Sequence, residues 1–236
     1  NLALRYDKGQ DLPQDSAQAM HWYERAGAQG HASSQFNLAL ILDSGTGVAR
    51  DEAAALAWYR RAAEQGHAAA QDNLGLRYEH GQGVERDPVQ AAHWYRQAAA
   101  QNLPAAQYHL GQLYEAGSGV ERDPAQAVAW TTRAAEQGHL RAQFDLGLRF
   151  ESGSGVAIDA DQALSWYLRA AEQDYPPAQH MVGVLLERDE TSDPVDAARW
   201  YLRAAEAGAP QRRSLPITNN GPRPRPKGGR MPRSIA

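Results

Sequence analysis

The sequence predicts an all-α protein, an αα-superhelix made by stacking one helix–turn–helix unit six times, and three observations predict it. All six tryptophans, Trp22, Trp58, Trp94, Trp130, Trp166 and Trp200, fall 36, 36, 36, 36 and 34 residues apart. An alanine stands three residues before and four after each of them, as Ala55 and Ala62 do around Trp58, so the three share one helical face. Four Gly-x-Gly-Val segments recur at the same period, at 45–48, 81–84, 117–120 and 153–156.

Each unit opens with a helix anchored by Leu38, Leu74, Leu110, Leu146 or Val182. Gly75, Gly111, Gly147 and Gly183 follow, where backbones must pack closely, and Leu42, Tyr78, Tyr114, Phe150 and Leu186 lie four residues after each anchor. Asn1 aligns with Asn37, Asn73, His109, Asp145 and Met181, so the chain starts within a first helix. Its first unit is expected to fray, with weak hydrogen-exchange protection over residues 1–8. The Gly-x-Gly-Val loop comes next, its glycines suited to positive φ. It is blurred to Gly9-Gln10-Asp11-Leu12 in the first unit and two residues shorter at Arg188–Ser192 in the last, as the end units of an array should be.

The second helix opens at Asp15, Asp51, Asp87, Asp123, Asp159 or Asp193, seven residues before each tryptophan. These carboxylates suit an N-cap, with Pro88, Pro124 and Pro194 at the next position, where a missing N–H costs nothing. Gly30, Gly66, Gly138 and Gly208, with Asn102 and Asp174 as substitutes, suit a left-handed C-terminal cap. The tryptophans are expected to be structural and largely buried between their own unit and a neighbour. Trp94→Ala should then cost about 3–5 kcal/mol.

The segments Ala70-Gln71-x-x-Leu74-Gly75-x-x-Tyr78, Gly81-x-Gly83-Val84-x-x-Asp87 and Ala91-x-x-Trp94-Tyr95-x-x-Ala98-Ala99-x-Gln101 resemble the Sel-one-like repeat family, relatives of the tetratricopeptide repeats. The resemblance covers residues 1–208 as six units, and Thr131, where the other units carry tyrosine after tryptophan, departs from it. It implies a curved, right-handed solenoid with first helices lining an inner groove and second helices outside. It also implies adaptor or scaffold duties in signalling, quality control or envelope assembly.

Composition removes several kinds of chemistry. There is no cysteine, hence no thiolate nucleophile and no cysteine-based metal site. No Ser-x-x-Lys occurs, and no Gly-x-Gly-Val loop is followed by Lys-Ser/Thr. His31, His67 and His139 recur one solenoid step apart, about 9–10 Å, too far to share a zinc ion, and read as rim histidines. No metal, no small-molecule cofactor and no membrane span are expected. Residues 209–236 read as a disordered Pro/Gly-rich tail; from Arg212 to Arg233 it carries seven cations and no acid. Whole-chain charge is −4, so residues 1–210 hold 17 basic against 28 acidic residues, or −11. The excess of Arg over Lys, 22 to 2, fits a GC-rich bacterial gene, with cytoplasm and periplasm both open as compartments.

Function is expected on the first helices, opposite the anchors, two before, two after and five after each. These positions are Phe36, Leu40 and Asp43; Asp72, Leu76 and Glu79; Tyr108, Gln112 and Glu115; Phe144, Leu148 and Glu151; His180, Val184 and Glu187. Apolar groups recur where water should reach, and one acid per unit forms a ladder, continued by Asp7 in the first. The leading expectation is a non-catalytic adaptor holding a peptide or partner protein, positively charged if the acids take part. The plainer role for the acids is pairing with Arg50, Arg86 and Arg122, seven residues on. An envelope-associated or peptidoglycan-related hydrolase is one alternative, opposed by the missing catalytic constellation. Nucleic-acid or anionic-surface contact through the tail is the other, opposed by the acidic body and by the absence of an interleaved aromatic platform.

Overall fold

A computed structural model describes residues 2–188 and 193–208; most of the shortened last loop and the basic tail lie outside the described residues. Among the described residues twelve α-helices follow one another and there is no strand. The first helices are α1 (Leu2–Lys8), α3 (Ala32–Ser44), α5 (Ala68–His80), α7 (Pro104–Ala116), α9 (Leu140–Ser152) and α11 (Pro176–Arg188). They alternate with α2 (Ser16–Ala28), α4 (Glu52–Glu64), α6 (Pro88–Ala100), α8 (Pro124–Glu136), α10 (Ala160–Ala171) and α12 (Pro194–Gly208). Each helix packs chiefly on the one before and the one after, which is the organisation of a repeat solenoid.

The helix boundaries follow from capping. Asp15, Asp51, Asp87, Asp123 and Asp159 each accept a first-turn backbone N–H, and Asp193 accepts from Val195. The amides of the first five close the loop onto the preceding first helix, as Asp87 does onto the Tyr78 carbonyl. Gly30, Gly66, Gly138, Asn102 and Asp174 all hold positive φ, whereas Gly208 is the last residue of α12 itself. The second loop glycine serves packing as well as the turn. A Cβ on Gly119 would lie 2.0 Å from the Pro88 carbonyl oxygen at the start of α6.

The repeating histidines do more than sit on a rim. His31, His67 and His139 are the N-caps of α3, α5 and α9, each Nδ1 accepting the amide of Ser34, Ala70 or Ala142. Half-burial pushes the His67 and His139 pKa values down. The folded imidazoles therefore bind protons less readily than unfolded ones. Their stabilisation is complete above the unfolded value of about 6.5 and is lost as pH falls through the lower folded value. The thermal midpoint should drop more steeply between about pH 7 and 5 in the wild type than in His67→Asn/His139→Asn, where the cap does not titrate. Parallel pH profiles would show that these caps do not govern acid sensitivity.

The tryptophans lie between their own unit and a neighbour, as expected, but less deeply than expected. Only Trp166 is buried, at 9% exposed, and the other five are half-buried. Each of the last five packs in the seam between the preceding unit and its own first helix, Trp94 for example on Ala62 and Ala63 of α4 and on Ala70 and Leu74 of α5. In five units the guanidinium three residues on, such as Arg61 over Trp58 at 4.5 Å, lies against the ring. The deeply buried aromatic is instead the next residue. Tyr59, Tyr95 and Tyr167 are fully enclosed, and Tyr95 and Tyr167 lie against Gly75 and Gly147 of their own unit. One step along a helix is a rotation of about 100°, which turns the tyrosine onto the glycine of its own first helix and the tryptophan into the seam with the previous unit.

A glutamine lattice runs through the stack. Gln35, Gln71, Gln107, Gln143 and Gln179 are buried, and each side-chain amide donates to the main-chain carbonyl eight residues earlier, on the preceding second helix. In four of them the side-chain oxygen accepts from the glutamine thirty residues on, Gln65, Gln101, Gln137 or Gln173. Each of these four ties three successive helices, adding a second donor to a helix-end carbonyl that already accepts the backbone N–H three residues on.

Candidate functional site

The first helices lie side by side, as their cross-unit hydrogen bonds show. Arg77 on α5 reaches Asp43 on α3 at 2.6 Å, and His109 on α7 reaches Asp72 on α5 at 2.8 Å. Gln112 on α7 reaches Asp145 on α9 at 3.3 Å, and Arg188 on α11 reaches Glu151 on α9 at 3.1 Å. A continuous face therefore carries the residues expected from periodicity.

Along its middle runs an apolar row. Leu40 and Leu148 are each 39% exposed, Leu4 of the first unit is 41% exposed at the equivalent place, Leu76 is half-buried between Leu40 and Leu148, and Val184 is half-buried beyond them on α11. Gln112 interrupts the row on α7. Beside it lie half-buried aromatic rings, each against the residue that leads into the next first helix. Phe36 stacks on His67 at 4.7 Å, Tyr108 lies 4.9 Å from His139, and Phe144 is 5.3 Å from Tyr175. Asp72 holds the corresponding place on α5, but it is buried and its carboxylate accepts from His109.

The acid ladder is woven into the fold. Glu79, Glu151 and Glu187 accept from the hydroxyls of Tyr95, Tyr167 and Tyr201 at 2.7, 3.0 and 2.8 Å, and Asp7 accepts from Tyr23 at 3.4 Å. Burial and these carboxylates push the Tyr95 and Tyr167 phenols well above their usual range. Asp43 and Glu115 pair instead with Arg77 and Arg149 of the following unit. Arg149 holds the Glu115 carboxyl below its ordinary value. Of the loop arginines, Arg122 pairs with Glu115 and Arg86 donates to the Glu79 main-chain carbonyl, whereas Arg50 turns to Glu52. Periodicity missed Arg77, Arg149 and His109. The signal available for the arginines was a charge at a place where Ile41, Leu113 and Leu185 stand in other units.

Among the described residues no group of three or more histidine or acidic side chains could hold a metal ion, and no helix is long and apolar enough to cross a membrane. What the face presents is exposed leucines between aromatic rings and anchored carboxylates.

The Sel1 repeat model matches residues 1–31, 32–67, 68–103, 104–139, 140–175 and 176–208, the six units seen in the fold. No curated protein matches the chain. Among solved structures, a protective antigen present in uropathogenic Escherichia coli strains, displaying an SLR fold, is 38% identical with a TM-score of 0.81. The match covers 87% of this chain but 44% of the antigen, so the chain spans less than half of that protein. A Sel1 repeat protein from Oxalobacter formigenes is 33% identical with a TM-score of 0.78, over 91% of this chain and 84% of that one. An immunity protein, PA5088, from Pseudomonas aeruginosa shares the fold at 22% identity and a TM-score of 0.55, over 88% of this chain and 84% of its own. Sel1 repeat proteins generally mediate protein–protein interaction, and their fold is typically a non-enzymatic scaffold. Six matched repeats, twelve helices in register and two relatives above 30% identity place this chain in the Sel1 repeat family.

Proposed function

We propose that this chain is a non-catalytic scaffold that binds a protein partner, as an extended peptide or a helix, along the face of its first helices. The observation that carries the proposal is the row formed by solvent-reaching Leu4, Leu40 and Leu148 on α1, α3 and α9, with half-buried Leu76 and Gln112 on α5 and α7 between them. Burying leucine is worth about 1.5–3 kcal/mol, so a row left in water is a surface that gains by being covered. Neighbouring helices stand about 8–10 Å apart, and an extended chain advances about 3.3 Å per residue. A fitting peptide therefore offers an apolar side chain at roughly every third position. The recognition face comprises Phe36, Leu40, Leu76, Glu79, Tyr108, Gln112, Glu115, Phe144, Leu148 and Glu151, with Asp72 acting from beneath through His109. Net charge of −11 over residues 1–210 favours a basic partner.

The test uses a peptide selected on the full chain from a random linear library. Leu40→Asp/Leu148→Asp should weaken its binding at least about tenfold, since two apolar contacts are removed and a charge is buried at each. Arg60→Ala, on α4 away from this face, should leave it unchanged. Equal affinity for both variants would refute the proposal. Glu79→Gln/Glu115→Gln/Glu151→Gln, compared across a salt series, reports on the acids: an unchanged salt slope removes them from recognition.

A further inference from the structure

His139 and His109 are held with their protons on opposite nitrogens. The Nδ1 of His139 faces the backbone N–H of Ala142 at 3.2 Å, which can only donate, so Nδ1 carries the lone pair and Nε2 the proton. The Nδ1 of His109 faces Oδ1 of Asp72 at 2.8 Å, and a carboxylate only accepts, so here Nδ1 carries the proton and the neutral ring shows a lone pair at Nε2. Tyr108 lies between the two rings, 6.1 Å from His109 and 4.9 Å from His139. Neither Nε2 has a hydrogen-bond partner among the described residues, and neither is sealed from solvent. The His109 side chain is 24% exposed and His139 is half-buried.

We infer that His109 and His139 form a donor–acceptor pair that reads the main-chain amide groups of an extended peptide. This rests on the proposed binding face and specifies what that face recognises. An ammonium group would engage only the acceptor, and a carboxylate or phosphate only the donor. A peptide main chain satisfies both, its N–H going to Nε2 of His109 and its C=O receiving Nε2–H of His139. A helical partner has spent these groups on its own hydrogen bonds along its interior, so the pair selects extended over helical chain. Asp72 is then a positioning residue: buried, it fixes the proton of His109 and so the polarity of the pair.

Two measurements on the full chain test this. Nitrogen-15 NMR of the imidazoles at about pH 8, above the ordinary histidine value of about 6.5, should show Nδ1–H at His109 and Nε2–H at His139. The same tautomer at both, or a doubly protonated His109, overturns the inference while leaving the proposed binding face standing. The library-selected peptide is then N-methylated one position at a time. One methylated position should weaken binding about three- to tenfold in the wild type and have no further effect in His109→Phe. Uniform tolerance of N-methylation by a peptide that Leu40→Asp/Leu148→Asp does weaken overturns the pair alone. Failure to select any peptide overturns the binding face and the pair together.

Discussion

Tyr95→Ala should destabilise the protein by about 3–5 kcal/mol, more than Trp94→Ala beside it, when both are followed by urea unfolding. The Tyr95 ring is fully enclosed between α5 and α6, and its hydroxyl donates to Glu79 at 2.7 Å. Truncation leaves a cavity that the opposing residue cannot fill, because that residue is Gly75, where an added Cβ would lie 2.6 Å from the tyrosine ring. The cost belongs near the top of the range, since it depends on how far a site can collapse. The indole of Trp94 is half-buried, so part of its surface is already in water and its loss should cost about 2 kcal/mol. The hydroxyls allow a finer comparison. Tyr95→Phe removes a donor from Glu79 and should cost about 1 kcal/mol. Tyr59→Phe should cost almost nothing, because the Tyr59 hydroxyl is buried with no partner while Arg77, over its ring, takes Asp43. Equal losses for the two phenylalanine variants would show that the tyrosine–carboxylate bonds do not stabilise the units.

Glu115→Gln/Asp145→Asn should cost about 3–5 kcal/mol, whereas Arg149→Leu should cost clearly less. The guanidinium of Arg149 is 5% exposed and is held by Glu115 on α7 and Asp145 on its own helix, at 3.0 Å to the latter. Neutralising both carboxylates leaves a buried cation with no counter-charge. Removing the arginine leaves carboxylates 27% and 22% exposed, which water can still reach, and leucine fits because Leu113 and Leu185 occupy the same place in adjacent units. The pair also makes a pH signature. Arg149, then Arg122, depresses the Glu115 pKa, so the stabilisation is present above the unfolded value of about 4.3 and is lost as pH falls through the lower folded one. Arg149→Leu should flatten that acid limb in thermal unfolding. If the double carboxylate variant is no less stable than Arg149→Leu, the network is a surface arrangement without energetic weight.

The six-unit array, its helix boundaries and its aspartate caps were legible in the sequence because each depends on residues within one or two turns of each other. Asp87 caps α6 through amides two and three residues on, and the positive φ of Gly45 and Gly47 is a property of the turn itself. Periodicity of 3.6 also placed Phe36, Leu40, Tyr108, Phe144 and Leu148 on one face, since a helix repeats its exposure regardless of what surrounds it. It did not tell Trp94 from Tyr95 as the buried ring, because adjacent residues point to different neighbours and both look apolar in the sequence. Nor did it foresee the histidine caps, since histidine has little prior as a cap.

What the sequence determined by itself was local: the repeat, its period, the capped helices, and which side chains share a face. The tertiary structure alone decided where the polar groups find partners. Glu79 turns to Tyr95 sixteen residues away, Glu115 to Arg149 thirty-four away, Gln71 to Gln101 thirty away and Asp72 to His109 thirty-seven away. A hydrogen bond needs its atoms within about 3.5 Å; the first and third of these close when the two helices of one unit pack, the second and fourth only when successive units stack. The ladder of acids is therefore distributed between the tyrosine of its own unit and an arginine that the next unit brings alongside.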